Sequence, residues 1–266
     1  MKKLSFLAIA FAAIAFAACG NKTAQTAETA DSVKSFEQEQ IEASIKMHMD
    51  SIASELGKLK TLPFLNEGED GITLTKEEKQ VKPDYLLTAN VADEATTLTE
   101  KYRILSALSV DKKIAALYEM PTEDYEKAIT KLAADINDPS FKAIENANTI
   151  FETTSTLYDE MEKNGRINYF WQLASAALVE QLYVANQNAD KFLSSFNDET
   201  AANVTYRIIL ILDAVNRLSQ YDPEIKPVAE ALAPLDALNA TTVAEMSEQM
   251  TNMKDKILSA RKALIK

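Results

Sequence analysis

From residue 35 to the end of the chain, apolar side chains return every third or fourth position, with one main interruption between residues 62 and 83. That period gathers the apolar groups of an α-helix onto one face. Over 35–59 the stripe is Ile41, Ile45, Met49, Ile52, Leu56 and Leu59. Glu37, Glu39, Glu42, Lys46, Asp50 and Glu55 mostly fall off it. The polar face is acidic, whereas helices lying on membranes favour Lys and Arg, so the stripe reads as a core face. Glycine supports the helical reading, with only 5 in 266 residues against a usual share of about 7%. Sandwiches, barrels and phosphate-cradling loops need glycine at turns of positive φ, so the scarcity argues against them. The expectation is an all-α chain, a multi-helix bundle or array of about eight helices.

The punctuation divides the chain. Ala95, Leu98, Tyr102, Leu105 and Leu108 place a helix over 92–108, and another follows over 111–119, broken before Pro121. Thr122 is the expected N-cap of a helix over 123–136, with acids in its first turn. Asp138-Pro139 opens a helix to Lys163, which Asn164-Gly165 ends through a left-handed residue. The most apolar helix, 167–185, carries the only tryptophan, Trp171. The helix over 200–218 contains the run Ile208-Ile209-Leu210-Ile211-Leu212. These two are expected at the centre. Pro223, Pro227 and Pro234 allow one or two short helices before a last amphipathic helix over 242–262. The irregular region 62–83 has room for a short hairpin, since Gly71-Ile72-Thr73-Leu74-Thr75 alternates as a strand does. Its acidic cluster Glu67-Gly68-Glu69-Asp70 lacks the spaced ligands of a calcium loop and reads as solvated. No fixed repeat period occurs.

The N-terminal segment reads as an address. Lys2 and Lys3 precede fifteen residues, Leu4 to Ala18, without a charge. A membrane-spanning helix needs about twenty apolar residues, whereas a run of this length suits a secretory signal. It closes at Phe16-Ala17-Ala18-Cys19-Gly20, which resembles the bacterial lipobox, with Phe16 where Leu is commonest. The resemblance implies that residues 1–18 are cleaved and that Cys19, the only cysteine, carries acyl chains. Residues 19–33 read as a flexible tether with an r.m.s. span of about 20 Å, and 34–266 as one helical domain. The formal charge of −12 becomes −14 once Lys2 and Lys3 are lost. Such acidity argues against nucleic acid as a partner. Asp31-Ser32-Val33 matches the short Asp-Ser/Thr-apolar O-glycosylation pattern of Bacteroidetes and makes Ser32 a candidate site. Asp50-Ser51-Ile52 matches too, but lies within a helix.

The signal, the Ala-Ala-Cys-Gly-Asn lipobox, the acidic low-glycine domain and the stretch from Lys101-Tyr102-Arg103-Ile104-Leu105 through Tyr118 together resemble uncharacterised lipoproteins of Bacteroidetes. The resemblance implies export and an anchor in the outer membrane, and carries over no catalytic residue. Surface-exported members place acids directly after the cysteine. Gly20-Asn21-Lys22-Thr23 has none, which favours the periplasmic face.

One histidine limits the chemistry. A Ser–His–Asp or Cys–His arrangement would have to use His48, which reads instead as a surface or half-buried residue beside its helix stripe. The sets required for structural zinc, a di-iron bundle, c-type haem or a nucleotide loop do not occur, so neither a metal nor a cofactor is expected. More informative are charges inside apolar runs: Arg103, Asp111, Glu180, Arg207 and Asp213. Burying them requires partners. They are expected to bridge central helices as a buried polar cluster; the alternatives are a small polar ligand pocket or a general acid/base pair. Two functions follow: a non-enzymatic lipoprotein that binds a protein or small-molecule partner or supports the envelope, or a carboxylate-dependent hydrolase of envelope or external polymers.

Overall fold

The computed structural model describes residues 36–66, 71–144 and 154–265. The signal, Cys19, the tether with Ser32, the acidic cluster 67–70 and the middle of the helix expected over 139–163 lie outside them. The described chain is all-helical: α1 (Phe36–Gly57), α2 (Lys76–Gln80), α3 (Val91–Glu94), α4 (Leu98–Leu117), α5 (Glu123–Ile136), α6 (Thr154–Lys163), α7 (Ile167–Gln187), α8 (Ala189–Phe192), α9 (Asp198–Leu218), α10 (Lys226–Leu232), α11 (Val243–Asn252) and α12 (Lys254–Leu264), with short 3-10 turns between some of them. No strand occurs among the described residues. The alternating stretch 71–75 is irregular chain that ends in the N-cap of α2.

Helix α7 is the axis. Every residue from Phe170 to Ala185 is buried. Its most extensive contacts are with α4 and α12, and α6 and α9 also pack on it. A helix apolar all round is stable only when surrounded. Tyr158 and Phe170 meet edge to face at 5.1 Å, and Phe170 meets Trp171 the same way at 5.0 Å, which joins α6 to α7. Phe64 stacks on Phe192 at 4.8 Å and anchors the chain that follows α1. α9 departs from the expectation that both most apolar helices are central. Tyr206, Ile209, Asn216 and Arg217 are exposed on its outer side. Ile209 therefore faces out of the run that otherwise reads as wholly buried.

Helix ends explain where other expectations shift. The helices expected over 92–108 and 111–119 are one helix, α4, with Asp111 buried in its middle. The break lies earlier, at Thr97. Its hydroxyl accepts from the Glu100 N–H while Glu100 accepts from the Thr97 N–H, a reciprocal pair that satisfies two orphan donors. The Thr97 N–H, joined by the hydroxyl and N–H of Thr96, holds the Glu100 carboxyl down to about 2. Thr75/Glu78 and Thr242/Glu245 repeat the arrangement. Thr122 lies at the start of α5, but its side chain caps no N–H. Asn137, at φ 49°, ends that helix. Gly165, at φ 66°, follows α6 in the left-handed conformation read from Asn164-Gly165. The final helix is two, α11 and α12, which meet at Met253.

Thr97→Ala removes a working cap and is expected to cost about 1 kcal/mol. Thr122→Ala, which removes no backbone hydrogen bond, is expected to cost distinctly less. Urea unfolding of the two variants checks the difference.

Candidate functional site: a buried acid pair and an open groove

The five charges expected to cluster do not meet at one place. Asp111 of α4 and Glu180 of α7 do, both with no exposed surface. Their cation is Arg261 of α12, which the sequence reading did not single out. Its Nε and Nη2 each donate to one Glu180 oxygen at 2.8 Å. This two-pronged geometry is the strongest a guanidinium makes with a carboxylate. Nη2 lies 4.0 Å from Asp111 Oδ2, and the guanidinium sits 4.0 Å from the centre of the Tyr183 ring, a cation–π contact out of water.

The irregular segment 81–90, between α2 and α3, closes over this cluster. The Leu87 N–H donates to Asp111 Oδ2 at 2.7 Å. The Leu87 carbonyl accepts from the Tyr125 hydroxyl of α5 at 2.6 Å, and the Tyr85 carbonyl accepts from Arg261 Nη2 at 3.4 Å. Lys82 Nζ donates to the Tyr118 carbonyl at the end of α4. Burial, and then the neighbouring Glu180 charge, push the Asp111 carboxyl well above the usual carboxylate range. Burial raises Glu180 too, against the pull of Arg261. It also lifts Tyr125 to about 12 and raises Tyr85 and Tyr183.

The other three residues stand apart. Arg103 is half-buried on α4 and donates to Gln172 Oε1 of α7 at 3.2 Å. Arg207, fully buried on α9, donates to the Lys60 carbonyl at 2.8 Å and so holds the chain leaving α1. Burial lowers its pKa to about 10. Asp213 is not buried: it lies on the outer side of α9, four residues from both Ile209 and Arg217. It bonds His48 Nε2 at 2.7 Å and Arg217 Nε at 2.8 Å.

His48 and Arg217 line an open groove of about 490 Å³ between α1 and the end of α9, with Ser44, Ile45, Met47, Ser51, Gln220 and Tyr221. Met47 is 72% exposed and Tyr221 58%. The groove offers apolar surface, an aromatic ring and a half-exposed His–Asp–Arg chain, which suits docking of an amphipathic group. The buried acid pair, by contrast, has no surface that a polymer could reach. Among the described residues no group of three or more His, Cys, Asp or Glu could hold a metal ion, and no described helix is long and apolar enough to cross a membrane.

No protein-family model, curated protein or solved structure gives a significant match to the chain.

The sequence did carry a sign of Arg261. Ile257, Ala260 and Leu264 are buried around it on α12, so Arg261 stands on an apolar stripe. Arg261→Ala leaves two carboxylates buried without their cation and is expected to cost about 3–5 kcal/mol. Arg217→Ala breaks a partly exposed pair and is expected to cost under about 1 kcal/mol. Denaturant midpoints of the two variants measure both.

Proposed function

We propose that the chain is an exported lipoprotein, held at a bacterial membrane by acyl chains on Cys19, whose helical domain binds a partner without catalysis. What carries this reading is the position of the only cysteine, directly after Ala17-Ala18 at the end of an uncharged fifteen-residue run. One acyl chain binds a membrane reversibly, and two or three hold it durably. The resemblance to Bacteroidetes lipoproteins supports the outer membrane, and the absence of acids in Gly20-Asn21-Lys22-Thr23 supports its periplasmic face.

Accessible surface supports the binding half of the proposal. The groove on α1 and α9 exposes Met47 and Tyr221, the kind of accessible apolar surface that partners cover. The acids that a hydrolase would need inside apolar segments, Asp111 and Glu180, are engaged with Arg261 and covered by 81–90. That favours binding over hydrolysis. α1 begins seventeen residues after Cys19, which supports a groove working close to the membrane.

The test is metabolic acyl labelling of wild type and Cys19→Ala in native cells, with protease added to intact and to permeabilised cells. Labelling is expected in the wild type and absent in the variant, with protein digested only after permeabilisation. Labelling that persists in Cys19→Ala removes the anchor. Digestion in intact cells moves the protein to the cell surface.

A further inference from the structure

Three segments and one strap converge on a single guanidinium. Arg261 of α12 gives both prongs to Glu180, which leaves Asp111 as a second carboxylate without a cation of its own at bonding distance. Asp111 Oδ2 is occupied by the Leu87 N–H, while Oδ1 is buried and accepts from no donor. Two anions against one cation, with no water contact, is an imbalance that the interior does not tolerate. A shared proton removes it, as it does wherever two carboxylates are forced together.

We propose that Asp111 is a neutral carboxylic acid in the folded protein, giving its proton to Glu180, and that this proton latches the strap 81–90 over the cluster. The neutral form keeps Oδ2 free to accept from Leu87 and gives Oδ1 a partner. The groups facing Asp111 are Glu180 and Tyr183 from α7, Arg261 from α12, Tyr85 from the strap and Tyr125 from α5. All the tyrosines among them are neutral well beyond physiological pH, so only the acid pair and the strap respond in that range.

The direction follows from counting protons. With the strap open, water reaches Asp111, which then has an ordinary pKa of about 3.9 and loses its proton to solvent. With the strap closed the proton is held to a higher pH. Below the lower value both states carry it and the latch is at full strength. Between the two values the closed state holds one proton more, and closure weakens about tenfold per pH unit. Above the upper value both states have lost it, and closure stays weak and constant. A compartment that acidifies therefore tightens the strap, and one that turns alkaline loosens it.

Amide hydrogen exchange of 82–90 in the full-length chain in detergent reads this directly. After division by the intrinsic chemical rate, wild-type protection is expected to fall about tenfold per pH unit as the pH rises above the ordinary carboxylate range. Asp111→Asn, which is neutral at every pH and keeps an acceptor for Leu87, is expected to show no slope. A flat wild-type profile, or the same slope in the variant, overturns the proposal. Should Asp111→Asn fail to fold, infrared spectra of the wild type decide. A protonated carboxyl band at neutral pH that moves on aspartate-specific ¹³C labelling supports the latch, and the absence of such a band overturns it.

Discussion

A guanidinium forked onto one buried carboxylate, with a second carboxylate beside it, sets how the central helices meet. Arg261 and Glu180 tie α12 to α7, and Asp111 ties α4 to the strap 81–90. Apolar packing alone tolerates sliding, because one leucine replaces another at modest cost. A buried charge does not, because any register that parts it from its partner leaves it uncompensated. The cluster thus acts less as a source of net stability than as a constraint on register. The surrounding core of Trp171, Tyr102, Phe170 and Leu108 supplies the apolar drive.

The same division separates architecture from accessible chemistry. The strongest electrostatic interactions lie inside the molecule, covered by chain that bonds them through its own backbone at Leu87 and Tyr85. A chain of polar groups that water can reach lies between α1 and α9, where Asp213 joins His48 to Arg217 beside exposed Met47 and Tyr221. Interactions there are screened and weak in stability terms, which leaves those side chains free to exchange their present partners for a bound group.

Much of this was legible in the residues. Three-and-four spacing predicts α1, a cap position with first-turn acids predicts α5, and long apolar content predicts α7 and α9. Joints were harder. Asp111 reads as the start of a new helix because a charge interrupts an apolar run, yet tertiary pairing lets α4 continue through it. The true start, Thr97, carries a local signal in Thr97-x-x-Glu100, which hydrophobic period alone does not register. The break at Met253 has no such mark, since Met246, Met250, Met253 and Ile257 keep the helical spacing across it. Asp111 and Glu180 are conspicuous as charges in apolar surroundings. Arg261 is not, because it neighbours Lys262 in a last turn, where cations are ordinary. Asp213 misleads for the opposite reason: the apolar run before it includes Ile209, which faces solvent on the same side of α9.

The central claim is that the Arg261–Glu180 pair couples α12 to α7 through a specific buried interaction rather than through general packing. A double-mutant cycle with Glu180→Gln and Arg261→Met, followed by urea unfolding of the full-length protein, measures that coupling directly. Each single variant is predicted to be destabilised, and the double variant to recover part of the loss, with a coupling energy toward the upper end of about 0.5–3 kcal/mol. A coupling near zero, with the two losses simply adding, would contradict it.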